Sequence, residues 1–167
     1  MLAQLLITAG FGLKGLKTWQ GHEGLGSQFS LTHKGKTVAM VTDDGNGGEV
    51  RVEWYGLRWD GSPMPAPHDK GSKESEPAFK ALKAIIEAAP EQDDGYGPLK
   101  PDMGMFMGAL ADHADLTKQM KKKTLFRMPD QKKAEYMSIK EVYGPAIKAY
   151  IEKKYPGAVI LNENPFA

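Results

Sequence analysis

Cysteine is absent from this chain of 167 residues. Its absence excludes disulfide bonds, thiolate metal ligands and thiol nucleophiles, and it is typical of proteins from a reducing compartment. The sequence also has no apolar run of about 20 residues, the length needed to cross a bilayer. Its apolar opening, Met1 to Phe11, lacks the positively charged start of a secretory signal. We therefore predict a cytoplasmic protein with no membrane partner, in which Met1 to Phe11 forms a strand or a docked arm.

The familiar catalytic and cofactor motifs are incomplete. Gly35 to Thr37 resembles the end of a P-loop, but Ser30 stands where that motif requires a glycine. Gly26 to Gln28 lacks the second glycine of a nucleophile elbow. The histidines show none of the close pairings that a helical zinc site uses; they are His22, His33, His68 and His113. These motifs predict no cofactor, no metal site and no catalytic residue.

Two glycine-rich segments remain as candidates for a site. Residues 21–26 place His22 beside Glu23, and residues 43–48 contain Asp43 and Asp44. The second segment echoes part of a calcium loop, but the flanking residues read as strands where that motif needs helices. The favoured interpretation is two loops. An acid–base site is the alternative, and it requires the two loops to adjoin one pocket.

Charge is distributed unevenly along the chain. Residues 61–117 carry five basic and ten acidic side chains, whereas residues 118–167 carry eleven basic and five acidic ones. The basic excess is concentrated in one segment, with an aromatic residue interleaved; the predicted binding residues are Lys118, Lys121, Lys122, Lys123, Phe126, Arg127, Lys132 and Lys133. Such a face could neutralise phosphates and stack a base. A solvated helix end is the alternative, because lysines there also favour the helix dipole. A third interpretation is contact with an acidic protein surface, including that of a second copy.

The pattern of short β-rich runs and helical repeats predicts an α+β fold with about three helices. Residues 28–33 and 36–41 read as a hairpin around Lys34 and Gly35, and residues 50–55 as a third strand. After a proline-rich loop over residues 61–73, one helix is expected with Ser75 as its cap.

The second half predicts two further helices and a hairpin. One helix begins after Asp102 as cap, and the other follows Pro145. Residues 124–128 and 135–139 read as a hairpin, in which Tyr136 is an apolar member, while residues 93–101 read as a loop. We predict one domain over residues 1–167, with any subdomain boundary in the 61–73 loop.

Two groups of residues resemble a known family. Gly21 to Gly24, Lys34 to Ala39 and Asp43 to Gly48 resemble the opening of small accessory proteins carried by bacteriophages and prophages. Residues 122–127, Tyr143, residues 148–151 and residues 153–155 resemble the end of the same group. No activity is assigned to that group. The resemblance therefore implies a phage origin and a bacterial host cytoplasm, and it implies no mechanism.

These observations lead to two functional hypotheses. The first is a non-enzymatic, phage-encoded binding protein that occupies a host or phage macromolecule and inhibits a host defence system, as anti-CRISPR proteins do. The second is a nucleic-acid-binding protein that uses the 118–133 basic segment. The sequence leaves open whether the partner is a protein or a nucleic acid, and whether the chain forms a homo-oligomer.

Overall fold

The computed structural model describes residues 2–65, 71–93, 97–131 and 135–166 of the chain. It has the predicted α+β class, with antiparallel sheets and helices. The chain divides into two compact units, Met1–Ala111 and Asp112–Ala167. None of the helices in these described ranges is long and apolar enough to cross a membrane.

The first unit contains a four-stranded antiparallel sheet in the order β1-β2-β3-β4. Its strands are β1 (Phe11–Gln20), β2 (Leu25–His33), β3 (Lys36–Asp43) and β4 (Arg51–Trp54). The hairpin between β2 and β3 is confirmed. Lys34 and Gly35 have φ angles of 49° and 78°, the positive values that a two-residue hairpin turn requires.

The opening of the chain corrects two expectations. A strand or a docked arm was expected over Met1 to Phe11; Leu2–Thr8 is not a strand but a short helix, α1, with Leu2 and Leu6 buried. Side chains four residues apart share one helix face, and a short apolar run does not distinguish helix from strand. The strand β1 was not predicted, because its alternation is interrupted by a bulge between Lys14 and Lys17.

The helix α2 (Ser72–Ala88) covers the sheet and begins earlier than expected. The prediction that Ser75 caps it is wrong, because Ser75 lies within the helix. There it is fully buried, and its Oγ donates a hydrogen bond of 2.9 Å to the carbonyl of Val38 on β3. Ala78 and Leu82 are likewise fully buried and belong to the same apolar core as the β2 and β3 side chains.

The helix α3 (Met103–Met120) has the predicted cap. The Asp102 carboxylate accepts a hydrogen bond of 2.8 Å from the backbone N–H of Met105, as an N-cap does. The expected loop before it contains two short paired strands, β5 (Gln92–Asp93) and β6 (Pro98–Leu99). The boundary between the two units lies within α3 and not in the 61–73 loop.

The second unit has a three-stranded antiparallel sheet in the order β8-β7-β9. Its strands are β7 (Thr124–Arg127), β8 (Met137–Ile139) and β9 (Val159–Ile160), and its second helix is α4 (Pro145–Lys154). The 124–128 and 135–139 hairpin and the helix after Pro145 are thus confirmed. The chain after α4 supplies β9, and Ile151 and Ile160 form a small core with the β7 side chain Phe126.

Candidate functional site

A cavity of about 400 Å³ in the second unit is lined mainly by lysines. Lys118 lies in the last turn of α3, and Lys122 and Lys123 follow in the turn after it. The backbone N–H groups of both Lys122 and Lys123 donate to the carbonyl of Gln119, at 2.9 and 3.1 Å, which closes that turn. The end of one helix therefore supplies three of the four ammonium groups around the cavity.

The fourth lysine comes from the hairpin. Thr124 on β7 is the cross-strand partner of Ile139 on β8. Lys123 precedes Thr124 and Lys140 follows Ile139, so the antiparallel register places the two lysines side by side. Lys140 lines the cavity, and the 118–133 prediction did not include it. Lys140 could have been predicted only from the register of the hairpin formed by β7 and β8.

The cavity is electropositive. Its lining has four lysines and one carboxylate, that of Asp115. The Asp115 carboxylate accepts a hydrogen bond of 2.6 Å from the Gln119 side-chain amide. Within the described ranges, no carboxylate oxygen lies within 4.0 Å of the ammonium groups of Lys118, Lys122, Lys123 or Lys140. None of these four lysines is therefore ion-paired with a carboxylate of the described ranges.

An aromatic ring stands beside this cavity. The Gln119 amide also donates to the Tyr136 hydroxyl at 3.1 Å, and Tyr136 is 38% exposed. Because Gln119 itself lines the cavity, this bond fixes the Tyr136 hydroxyl next to the cavity. The sequence indicated Tyr136 as an apolar member of the hairpin, and Gln119 not at all.

The other predicted binding residues have different positions. Phe126 is only 2% exposed, and its ring packs against Tyr155 with 4.9 Å between ring centroids. The expectation that Phe126 stacks on a base is therefore wrong. Lys121 is exposed and does not line the cavity, and Arg127 lies half-buried on β7 opposite Val159. Lys132 and Lys133 lie outside the described residues.

The Asn162 side chain stabilises the turn that carries Lys122 and Lys123. Its Oδ1 accepts a hydrogen bond of 2.7 Å from the backbone N–H of Leu125. Its Nδ2 donates to the carbonyls of Met120 and Lys123, at 3.2 Å each. One side chain thus satisfies carbonyls at the end of α3 that have no partner within the helix. The position of Lys122 and Lys123 depends on this contact.

The next residue, Glu163, gives a pH-dependent contact. Lys148 donates a hydrogen bond of 2.8 Å to its carboxylate, and the Tyr143 hydroxyl donates another. The bonds from Lys148 and then Tyr143 lower the pKa of Glu163 below its usual 4.5. A lowered folded-state pKa stabilises the folded form above pH 4.5, and this contribution is lost as the pH falls through the folded-state pKa.

We therefore expect Glu163 to titrate below pH 4.5, with the chain after Leu161 loosening as it takes up a proton. The measurement is an NMR titration of the Glu163 side chain, together with amide exchange of residues 161–166. The Glu163→Gln variant should lack this step and show weaker protection already at pH 7. Titration of Glu163 at or above its usual pKa would contradict the assignment.

The two glycine-rich segments meet in the first unit. The backbone N–H of Glu23 donates to the Gly45 carbonyl, and that of His22 to Asn46 Oδ1, both at 3.0 Å. A depression of about 270 Å³ lies where they join. The segments therefore fulfil the condition set for a site, and the strand β1 precedes residues 21–26, which the sequence had not indicated.

The proposed acid–base set is not assembled there. His22 and Asp44 line the depression, whereas Glu23 and Asp43 do not. Asp43 instead accepts a hydrogen bond of 2.9 Å from the backbone N–H of Gly45. Across the part of the chain that the structure describes, no three His, Asp or Glu side chains are grouped so as to hold a metal ion.

Comparison with protein-family models, with curated proteins and with solved structures gives no match to this chain. The resemblance to phage accessory proteins therefore stays a prediction.

Proposed function

We propose that this chain is a non-enzymatic binding protein that holds nucleic-acid phosphates in the lysine-lined cavity. The observation that carries the proposal is the convergence of Lys118, Lys122, Lys123 and Lys140 on one concavity without a carboxylate within 4.0 Å in the described residues. Bringing four like charges together is unfavourable in the free protein, and an anion in the cavity relieves that repulsion.

The shape and the neighbouring ring favour nucleic acid over an acidic protein surface. An open concavity can receive a phosphate group among several lysines, whereas a flat acidic surface would also contact exposed lysines outside it, such as Lys121. Tyr136, held by Gln119 next to the cavity and partly exposed, can stack on an unpaired base. Lysines beside an accessible aromatic ring are the combination by which proteins bind single strands.

The biological setting that we propose rests on the resemblance to phage accessory proteins. In this setting the protein acts in the cytoplasm of a bacterial host. By occupying a nucleic acid there, it would deny that nucleic acid to a host defence system. A host or phage protein with an acidic surface is the competing partner, and the experiment below separates the two.

We expect the protein to bind a fluorescein-labelled 30-nucleotide single strand with an affinity that falls steeply as salt rises, because binding releases counterions. The measurement is fluorescence anisotropy over a series of salt concentrations. Changing Lys122 and Lys140 together to Gln should weaken binding at every salt concentration. It should also make the plot of log affinity against log salt shallower by about 1.4, since each lost phosphate contact removes about 0.7 unit of slope for a single strand.

The matched control changes Lys73 and Lys83 to Gln. Both are exposed and lie on α2 in the first unit, so the net charge changes equally. This variant should keep nearly the affinity and slope of the parent. Absence of strand binding, equal losses in the two variants, or binding that does not respond to salt would reject the proposal in favour of the competing partner.

A further inference from the structure

The depression between the glycine-rich segments has a lining quite different from that of the lysine cavity. The residues that line it are Trp19, Gln20, Gly21, His22, Asp44 and Asn46. Among these lining residues there is one indole ring, several neutral polar groups and a single carboxylate, and there is no lysine or arginine. Such a lining does not suit a polyanion.

The indole of Trp19 is held in a fixed position. Trp19 on β1 is the cross-strand partner of Gly26 on β2, and its ring lies against the Gly26 backbone, where any side chain would collide with it. Trp19 as a whole is nevertheless 39% exposed. Gly26 therefore supports one part of the indole and leaves the rest open.

The loops beside the indole are held by close backbone packing. A side chain at Gly21 would collide with the Gly45 carbonyl, and one at Gly45 would lie 2.6 Å from the Gly26 nitrogen. Gly45 also has a φ of 71°, which favours glycine. With the bonds from Glu23 and His22 across the join, this packing holds the depression open before any ligand arrives.

The polar side chains keep free hydrogen-bonding capacity of both kinds. Asn46 Oδ1 accepts from the His22 N–H, which leaves the two amide hydrogens of Asn46 as donors. Asp44 Oδ1 accepts from the Asn46 N–H at 3.0 Å, which leaves Oδ2 as an acceptor. The Gln20 amide nitrogen donates to the carbonyls of Gly21 and Gly24 at 3.4 Å, so its oxygen is a second acceptor.

From this arrangement we infer that the depression binds a neutral saccharide ring. The C–H face of a sugar is weakly positive and packs on the negative face of an indole. Its hydroxyl groups both donate and accept, which matches the Asn46 donors and the Asp44 and Gln20 acceptors. A quaternary ammonium group would need several aromatic rings around it, and the described lining offers one indole. This site lies in the first unit and does not depend on the function proposed for the lysines.

The experiment is an NMR titration with three neutral trisaccharides, namely maltotriose, cellotriose and triacetylchitotriose. It follows the Trp19 indole N–H of the parent and, in all variants, the backbone N–H groups of His22 and Asn46, which remain when the indole is removed. We expect at least one sugar to shift these resonances with a Kd on the order of 1 mM, as suits a small open site. Trp19→Ala should abolish the binding, and Trp19→Phe should retain part of it because an aromatic face remains. Asp44→Asn should weaken it several-fold through loss of the charged acceptor.

Trp59→Ala is the matched control, because Trp59 is 91% exposed and does not line the depression. It should bind the same trisaccharide with unchanged affinity. The inference is overturned if none of the three sugars shifts the Trp19 indole, or if Trp59→Ala loses binding as Trp19→Ala does. A shift produced by choline chloride and by none of the sugars would also overturn it, since it would make the site a cation site.

Discussion

Phe126→Ala should destabilise the second unit by about 3–5 kcal/mol, the usual cost of removing a buried phenylalanine ring. Phe126 lies on the central strand β7 and is 2% exposed. Its ring packs on Tyr155, and with Ile151 and Ile160 it forms the core of the second unit. Because this core has so few buried side chains, its remaining residues cannot move to fill the cavity that the substitution leaves.

The measurement is chemical denaturation followed by circular dichroism, with Tyr136→Ala as the control. Tyr136 also precedes a strand of the same hairpin, but its ring is partly exposed, so its loss should change the free energy of unfolding by less than about 1 kcal/mol. Tyr136→Ala should instead weaken single-strand binding. A Phe126→Ala variant with unchanged stability and lost binding would show that Phe126 is a contact residue after all.

Local signals predicted those parts of the fold that neighbouring residues decide. The turn at Lys34 and Gly35 needs only two residues with positive φ, and the cap at Asp102 needs only a carboxylate three residues before an N–H. Ser75 shows where such signals fail. It has the residue type of a cap, but its hydroxyl bonds to Val38, 37 positions away, and that bond depends on how α2 packs on the sheet.

The same distinction holds for the candidate site. Lys118, Lys122 and Lys123 could be predicted because they lie within one short stretch, but Lys140 joins them only through the pairing of β7 with β8. Phe126 was misread because Thr124, Leu125 and Phe126 are all buried. A strand buried on both faces does not alternate, so its sequence does not show which side chain faces solvent. The Asn162 side chain hydrogen-bonds to backbone groups up to 42 positions away in the sequence. A pattern of neighbouring residues does not reveal such a contact.

The largest functional effect should come from reversing the charges of the lysine cavity. We expect Lys118, Lys122 and Lys123 changed together to Glu to lower single-strand affinity at least about tenfold, because phosphate contacts become repulsions. Lys121 is left unchanged, since it does not line the cavity. The measurement is fluorescence anisotropy at one fixed ionic strength, with circular dichroism to confirm that the variant is folded.

The comparison is with reversal of three acidic residues of the first unit, Glu74, Glu76 and Glu91 to Lys. Glu76 already has a cation beside it, because the Lys80 ammonium lies 2.6 Å away, and Glu74 and Glu91 are exposed. Exposed pairs of this kind contribute at most about 1 kcal/mol and are screened by salt. The reversal should therefore leave affinity nearly unchanged, or raise it slightly through the added positive charge. If the acidic reversal instead abolished single-strand binding and the lysine reversal did not, the lysine cavity would not be the binding face.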